Sequence, residues 1–278
     1  MGTLIDVYRD MIDDGFHRGR VDRLADHVTG DYTVVDLARP HRQGGVDGTA
    51  AHIEAVRAGV RDLRYEILDA FETGDRLAVR YLVTGQARDD DRRVVITGIS
   101  LHEGQGGRLH RSWNVGDQRD LGVADDREPA AETIARWATP PVRATAPLAS
   151  RYATLVERVY GGGPGGPGDL LHGDYLPYDP FAARPGGGSA SRFHAHFRAL
   201  FADIQYDVLD SFEVDDKLAT RYLVRGIVDG TPAHVLGVSI NHARDGRFHR
   251  SWIYAQYGRV GALAREAAAL AATGEDAA

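Results

Sequence analysis

The chain has 278 residues, 43% of them apolar and 26% charged, which is the composition of an ordinary globular protein and excludes a disordered or collagen-like chain. The 33 lysines and arginines against 40 aspartates and glutamates give a net charge of −7, and we find no local basic patch that would hold nucleic-acid phosphates. The absence of cysteine excludes a disulfide framework and thiolate catalysis.

The N-terminal sequence lacks the basic segment followed by an apolar run that marks a secretory signal. No stretch approaches the roughly 20 apolar residues of a membrane span. We therefore expect a soluble, cytoplasmic protein that contacts neither membrane nor nucleic acid.

Three helices are predicted at the start of the chain. The segments Thr3 to Ile12, Val21 to Val28 and Thr49 to Val60 each place apolar residues at helical spacing. The period then changes to two, because Leu63, Tyr65 and Ile67 alternate with polar neighbours. A turn at residues 72–75 and strands at 77–83, 94–102 and 108–115 complete this part. Helices followed by an antiparallel sheet make an α+β domain.

A proline-rich segment, residues 139–147, follows a short predicted helix from Pro129 to Trp137 and cannot sustain a helix or a central strand. We place the domain boundary near residue 140. The predicted organisation is a first domain at 1–125, a linker with a short helix at 126–148, and a second domain at 149–278 that ends in an alanine-rich helix.

The two halves of the chain repeat each other. Residues 62–85 align with 203–226 without a gap and share 14 of 24 residues, and residues 98–113 share 8 of 16 with 237–252. The second block ends in His-Arg-Ser-Trp in both copies, at Trp113 and Trp252. A period of about 140 residues indicates duplication of a whole domain, because solenoid repeats are only about 20 to 50 residues long.

The order of elements, with the segments Gly74 to Tyr81, Gly98 to Ser100 and Gly107 to Leu109 followed by Trp113 and Asp117, resembles the SnoaL-like polyketide cyclases of the nuclear transport factor 2-like superfamily. The resemblance implies two tandem cone-shaped domains, each a curved sheet wrapped by helices around an interior pocket. It also implies that the two domains pack as an internal pseudo-dimer, with a further homo-oligomer left open. Because this superfamily hosts several reactions, function has to be argued from the site.

The family's usual general acid/base is the aspartate four residues after the tryptophan, which the resemblance assigns to Asp117. The second copy has Gln256 at this position, and an amide cannot accept a proton at neutral pH. The resemblance therefore predicts that the first domain is catalytic, with Asp117 removing a carbon-bound proton. A solvated carboxylate at the end of the strand is the alternative.

Strand parity supplies a second pair of candidate acids. With a two-residue turn at residues 73–74, Glu66 lies on the apolar face of its hairpin, as does Asp207 in the second copy. Burial there would raise the pKa of a carboxylate and suit it to acid/base work. If the turn differs by one residue, Glu66 faces solvent instead.

Asp36 and Asp179 each follow a tyrosine, Tyr32 or Tyr175, by four residues and so share its face on a strand. Asp179 lies in a run that resembles the segment carrying the base of ketosteroid isomerases and an acid of polyether epoxide cyclases. Paired acids, Asp36 with Glu66 and Asp179 with Asp207, would suit epoxide opening. This is the main rival chemistry.

The remaining candidates would bind substrate. The tyrosines at 81 and 222 are predicted to line the pockets, whereas the repeated histidines could either shuttle protons or pack at a sheet interface. Arg80 and Arg221 are better explained as cross-strand ion pairs with Asp69 and Asp210. The predicted substrate-binding residues are Tyr32, Tyr81, His110, Trp113, Tyr175, Tyr222, His249, Trp252 and Gln256.

No cofactor and no metal site is predicted. These observations lead us to expect a cofactor-free acid/base cyclase or isomerase that acts on a hydrophobic polyketide-type intermediate, with aldol-like ring closure favoured. An epoxide-opening ether cyclase or epoxide hydrolase is the first alternative. A non-catalytic small-molecule binding module is the second, because the aspartate is replaced at Gln256.

Overall fold

The computed structural model describes residues 2–37, 45–117, 131–138, 147–161, 164, 166–178 and 197–263. The chain divides into two compact units, Met1–Ala124 and Asp125–Ala278. Each unit contains one five-stranded sheet with helices, which confirms the prediction of two tandem α+β domains. Within the described part of the chain, no helix is both long enough and apolar enough to cross a membrane.

The first unit begins with helices, and a third helix follows its first strand. Its elements are α1 (Leu4–Ile12), a π-helical turn (Asp13–His17), a 3-10 turn (Val21–Arg23), α2 (Leu24–His27), β1 (Val28–Asp36), α3 (Gly45–Gly59), β2 (Val60–Thr73), β3 (Arg76–Ala87), β4 (Arg93–Gln105) and β5 (Arg108–Asp117).

Helix α1 begins at a capping box. The Thr3 hydroxyl accepts a hydrogen bond from the backbone N–H of Asp6, and the Asp6 carboxylate accepts one from the backbone N–H of Thr3. Tyr8 and Met11 lie three residues apart and are both buried, so one stripe of the helix faces the core.

The first sheet has the strand order β1-β5-β4-β3-β2. Strand β1 runs parallel to β5, and the other neighbours are antiparallel. The sheet is therefore mixed rather than wholly antiparallel. Parallel neighbours need a long connection, which helix α3 and three strands provide here.

The hairpin of β2 and β3 contains a β-bulge. Thr73 pairs with Arg76, so the turn residues are Gly74 and Asp75, and the register shifts between Ile67 and Asp69. The extra residue, Leu68, is 41% exposed. Because one added residue reverses the alternation of side chains, residues on the N-terminal side of Leu68 have the opposite parity from that of a regular hairpin.

The second unit repeats this plan. Its elements are α4 (Ala131–Trp137), α5 (Pro147–Tyr160), a 3-10 turn (Pro167–Asp169), β6 (Leu171–Tyr178), β7 (Ala202–Val214), β8 (Lys217–Val228), β9 (Thr231–Arg244), β10 (Arg247–Gln256) and a 3-10 turn (Gly258–Val260). The strand order is β6-β10-β9-β8-β7, with β6 parallel to β10. The register of β7 and β8 shifts between Val208 and Asp210, so the bulge recurs at the equivalent place.

Helix α4 packs on strand β8 of the second unit through Trp137, which is fully buried. Its indole N–H donates to the backbone oxygen of Tyr222 at 2.9 Å, and Arg221 donates to the backbone oxygen of Trp137. Arg221 also forms an ion pair with Asp210, at 4.0 Å. Arg221 and Asp210 are both almost completely buried, and they are the cross-strand pair predicted from the sequence.

Candidate functional site

A cavity of about 90 Å³ lies between the helices and the sheet of the first unit. Most of its wall is aromatic or aliphatic, and the polar side chains of the wall are concentrated on β4 and β5. The lining residues are Tyr8, Met11, Ile12, Phe16, Tyr32, Val34, Thr49, His52, Ile53, Val56, Tyr65, Tyr81, Val83, Ile96, Ser100, His102, Ser112 and Asn114.

The helical side of the cavity is held by polar contacts outside its lining. Arg57 of α3 donates to the backbone oxygens of Phe16 and, at 3.0 Å, of His17, and this joins α3 to the π-helical turn. Asp14 in that turn accepts from Arg20 and lies 3.1 Å from His27 Nε2. The contact with His27, together with Arg20, lowers the pKa of Asp14. These bonds hold the backbone of the π-helical turn, which carries Phe16, against α3 and α2.

A hydrogen-bonded chain of side chains, which we call the polar row, crosses the cavity floor. The hydroxyls of Tyr65 and Tyr8 are 2.7 Å apart, and Tyr8 also contacts Ser100. His102 joins the two halves, with Nε2 at 2.8 Å from Ser100 Oγ and Nδ1 at 2.6 Å from Ser112 Oγ. The Tyr32 hydroxyl lies 2.7 Å from Ser112 Oγ. The polar row thus consists of Tyr65, Tyr8, Ser100, His102, Ser112 and Tyr32.

The groups of the polar row are uncharged at neutral pH. Desolvation lowers the pKa of the His102 imidazole from 6.5 to about 3. Burial raises the pKa of Tyr8, and burial together with the neighbouring tyrosines raises that of Tyr65 well above its ordinary value. The tyrosines therefore keep their protons, and the imidazole has one donor and one acceptor nitrogen.

Two glycines create the space for the Tyr81 side chain. A Cβ atom at Gly98 would lie 2.4 Å from the Tyr81 hydroxyl, and one at Gly116 would lie 2.8 Å from it. In the space left open, the Tyr81 hydroxyl donates to Asn114 Oδ1 at 2.9 Å, and its ring stacks on Tyr65 with centroids 5.2 Å apart.

The second unit contains a similar row with one decisive difference. Tyr152 and Tyr206 have hydroxyls 3.0 Å apart, and Ser239 and Ser251 are joined by Asn241 where the first unit has His102. Asn241 Nδ2 donates to Ser239 Oγ at 2.8 Å, and Ser251 Oγ donates to Asn241 Oδ1 at 2.7 Å. Tyr175, whose pKa burial raises to about 12, completes the row by a bond with Ser251.

Among the predicted site residues of the first unit, Tyr32 and Tyr81 line the cavity. Asp36 lies on the same face of β1 as Tyr32 and Val34, is only 2% exposed, and is the register partner of Asn114. It does not belong to the cavity lining, so the structure places this carboxylate beside the cavity rather than in it.

The predicted general base lies on the other face of the sheet. The register of β4 and β5 is regular from Asp117 to Arg111, and Ser112 and Asn114 face the cavity. Trp113 and Asp117 therefore face away from the cavity, because neighbouring residues of a strand point to opposite sides. The expectation that they share the pocket is corrected.

Because of the β-bulges, the prediction that Glu66 and Asp207 lie on the apolar faces of their hairpins is wrong. Glu66 is exposed and pairs with Leu82, because Leu68 reverses the parity on which its apolar placement depended. Asp207 forms a surface ion pair with Arg225. Asp36 and Glu66 consequently do not form the carboxylate pair expected for epoxide opening, and Asp179 lies outside the described residues.

The repeated histidines make contacts at the sheet edge. His110 Nδ1 lies 3.1 Å from Thr29 Oγ1 and 3.3 Å from Asp31, and His249 lies 3.5 Å from Asp174. His110 does not belong to the lining of the first-unit cavity. These contacts are with residues of β1 and β6, the neighbouring strands of the same sheets, and the predicted packing at a sheet interface stays a prediction.

The remaining predicted residues of the second unit are divided between the two faces of its sheet. Tyr222 stacks on Tyr206 with centroids 4.9 Å apart, on the same face as Ser251. Trp252 stacks on Tyr178 instead, and Trp252 and Gln256 lie on the face opposite Ser251, by the alternation of β10.

His102 is not among the site residues predicted from the sequence. Its position was visible in the second repeat block, where Ser100, His102 and Ser112 align with Ser239, Asn241 and Ser251. The two copies keep both serines but differ at the residue between them, which is a histidine in one copy and an asparagine in the other. This difference is the sequence signal for His102. No group of three or more histidine, aspartate or glutamate residues able to hold a metal ion occurs in the described ranges.

Comparison with known proteins gives a family match in the first unit. Residues 8–112 match the family model of the SnoaL-like domain. No match is found among the curated proteins.

Solved structures that match include a SnoaL-like polyketide cyclase from Agrobacterium tumefaciens, with 23% identity, coverage of 44% of this chain and 97% of that chain, and a TM-score of 0.38. TsrD from Streptomyces laurentii matches with 19% identity, coverage of 44% and 96%, and a TM-score of 0.39. An NTF2-like protein from Burkholderia pseudomallei has 16% identity, coverage of 44% and 95%, and a TM-score of 0.38. The match to the SnoaL-like domain therefore lies within the first unit, at residues 8–112.

Proposed function

We propose that the first unit is a cofactor-free acid/base enzyme of the cyclase or isomerase type. Its substrate would be a small, uncharged and mostly apolar molecule that carries a carbonyl or hydroxyl oxygen. The observation that carries this proposal is the polar row, which presents hydroxyl groups and a neutral imidazole to a mostly apolar cavity.

The lining favours an uncharged ligand. No aspartate, glutamate, lysine or arginine is among the described side chains that line the cavity. A charged ligand would lose its hydration there without gaining an opposite charge, which is unfavourable. The cavity volume of about 90 Å³ further favours a small ligand, or one that widens the cavity by displacing part of its wall.

Aldol-type ring closure is the reaction that we favour. Removal of a proton beside a carbonyl leaves negative charge on the carbonyl oxygen, and hydroxyl donors placed at that oxygen stabilise the charge. Tyr8, Tyr32 and Tyr65 supply such donors, because all three line the cavity, and Tyr8 and Tyr32 are buried. The reaction is an isomerisation, so it requires no added oxidant or reductant.

The test uses 2-tetralone, an uncharged bicyclic ketone, as probe. We expect saturable binding in a calorimetric titration and faster exchange of its α-hydrogens for deuterium, followed by proton NMR. Tyr32→Phe should slow the exchange, and the matched variant Tyr175→Phe in the second unit should leave it unchanged. The proposal is overturned if wild-type protein neither binds the ketone nor accelerates its exchange.

A non-catalytic binding module is the second candidate function. It is favoured by the lowered pKa of His102, which makes its imidazole a weak proton acceptor, and by the lack of a carboxylate among the described side chains of the cavity lining. Saturable binding of 2-tetralone without any acceleration of exchange would select this function over the enzyme.

A further inference from the structure

We propose that His102 is a proton relay, and that the second unit retains the same hydrogen-bonded frame with the relay removed by Asn241. This inference rests on the proposed function of the first unit. It assigns proton transfer to the first of the two duplicated domains, in which the polar row lines the cavity.

The geometry of His102 suits a relay because both ring nitrogens are engaged. Nε2 and Nδ1 lie at 2.8 and 2.6 Å from serine hydroxyls on opposite sides of the ring. The imidazole is 3% exposed, and Tyr8 packs against it with ring centroids 4.8 Å apart. Such burial removes bulk water as a competing route for the proton.

The transfer conserves every proton. A ligand atom at the Tyr8 end gives a proton to Tyr8 Oη, and the hydroxyl proton of Tyr8 moves to Ser100 Oγ. The proton of Ser100 then binds Nε2 while the N–H bond at Nδ1 breaks, so the ring changes tautomer and stays neutral. Ser112 takes the Nδ1 proton and passes its own to Tyr32, which protonates a second ligand atom.

A relay of this kind is compatible with a weakly basic imidazole. The ring accepts one proton as it releases another, so it never has to persist as a buried cation. Tyr8 and Tyr32, the tyrosines bonded to Ser100 and Ser112 on either side of His102, both line the cavity, so one ligand can contact both. The net result is movement of a hydrogen within the ligand, as a cyclisation or isomerisation requires.

Asn241 cannot perform this transfer. Its amide nitrogen only donates and its oxygen only accepts, so the bonds to Ser239 and Ser251 have fixed directions. Thr220 gives Ser239 another partner, with hydroxyl oxygens 2.7 Å apart. The second unit therefore shows that an asparagine can satisfy this frame, which makes His102→Asn a replacement already present in the chain.

The first measurement is the nitrogen NMR spectrum of the histidine side chains, with His102 assigned by its loss in His102→Asn. A relay predicts that the proton is shared between tautomers, so both ring nitrogens resonate between the protonated and unprotonated limits. One nitrogen at each limit means a single fixed tautomer and overturns the relay. This result does not depend on turnover, so it separates failure of the relay from failure of the proposed function.

The second measurement compares exchange of 2-tetralone in wild type, His102→Asn and the matched variant Asn241→His. We expect His102→Asn to slow exchange about a hundredfold or more at saturation while the Kd changes little, because a general acid/base contributes at least that factor. Asn241→His should leave the rate unchanged. An active wild type with undiminished exchange in His102→Asn would overturn the relay and leave the proposed function standing.

Discussion

The two units share a strand order and a row of tyrosines and serines, yet they differ in two side-chain environments. At the centre of the row, the first unit has His102 and the second has Asn241. On the other face, Arg221 is fully buried beneath Trp137, whereas its counterpart Arg80 is only partly buried. The fold therefore keeps the strand order and the hydrogen bonds between the serines and the central residue, although that residue and the burial of the arginine on the other face differ between the units.

The largest effect is expected for Arg221→Met. This change leaves Asp210 buried without its cation and removes the donor to Trp137, which should cost the second unit about 3–5 kcal/mol. The matched variant Arg80→Met should cost less than about 2 kcal/mol, because Arg80 is only partly buried. Hydrogen exchange with mass spectrometry, resolved by unit, measures both. Equal losses in the two units would contradict the importance of the difference in burial.

The next effect is expected for truncation at the centre of each row. His102→Ala leaves Ser100 and Ser112 without their shared partner and adds a void, which should destabilise the first unit by about 2–4 kcal/mol. Asn241→Ala removes a smaller side chain and should cost about 1–3 kcal/mol. Urea unfolding followed by circular dichroism tests the ranking. A larger loss for Asn241→Ala would mean that the second row is the more important one for stability.

Acidification should separate the units further. The folded-state pKa of His102, about 3, lies below the ordinary 6.5, so between these values the unfolded chain holds the extra proton. This group therefore lowers the free energy of unfolding by up to about 1.4 kcal/mol for each pH unit of acidification. His102→Asn should lose that part of the slope. Unfolding titrations from pH 7 to 4 measure it, and parallel slopes for the two proteins would show that His102 titrates normally.

The smallest effects are expected at the outward-facing carboxylates. Glu66→Gln removes an exposed charge, and Asp207→Asn removes a surface ion pair with Arg225, so each should change stability by less than about 1 kcal/mol. Binding of 2-tetralone should be unaffected, because neither side chain lines the cavity. A weakened Kd in Glu66→Gln would show that the hairpin presents the other face to the ligand.

The sequence was sufficient for the architecture and insufficient for the site. Periodicity located helices α1 and α3 and strands β2 to β5 of the first unit, because burial of one face repeats at fixed spacing, and the repeat predicted two domains. The face on which Glu66 lies depends on the β-bulge at Leu68. The extra residue changes the pairing of β2 with β3, and the residue types of the strand do not indicate where it occurs. A prediction of parity extends only as far as the nearest irregularity in a strand.

The position of Asp117 has a different explanation. The separation of Asp117 from Trp113 agrees with the family that the sequence resembles. Residues four apart on a strand lie on the same face, so Asp117 lies on the same side of the sheet as Trp113. That side is opposite Ser112 and Asn114. The cavity residues His102 and Ser112 come together through the pairing of β4 with β5, which a single strand's pattern does not contain.

The parallel pairing of first and last strands constrains how the chain is assembled. Val28 pairs with Leu109, and Leu171 pairs with Phe248, so each sheet closes only when its final strand has left the ribosome. Pairings of such high contact order form late, after the local hairpins. Translation is sequential, so the first sheet can close while the second is still being synthesised. Strands β1 and β6 each remain unpaired until β5 or β10 of the same unit has been synthesised.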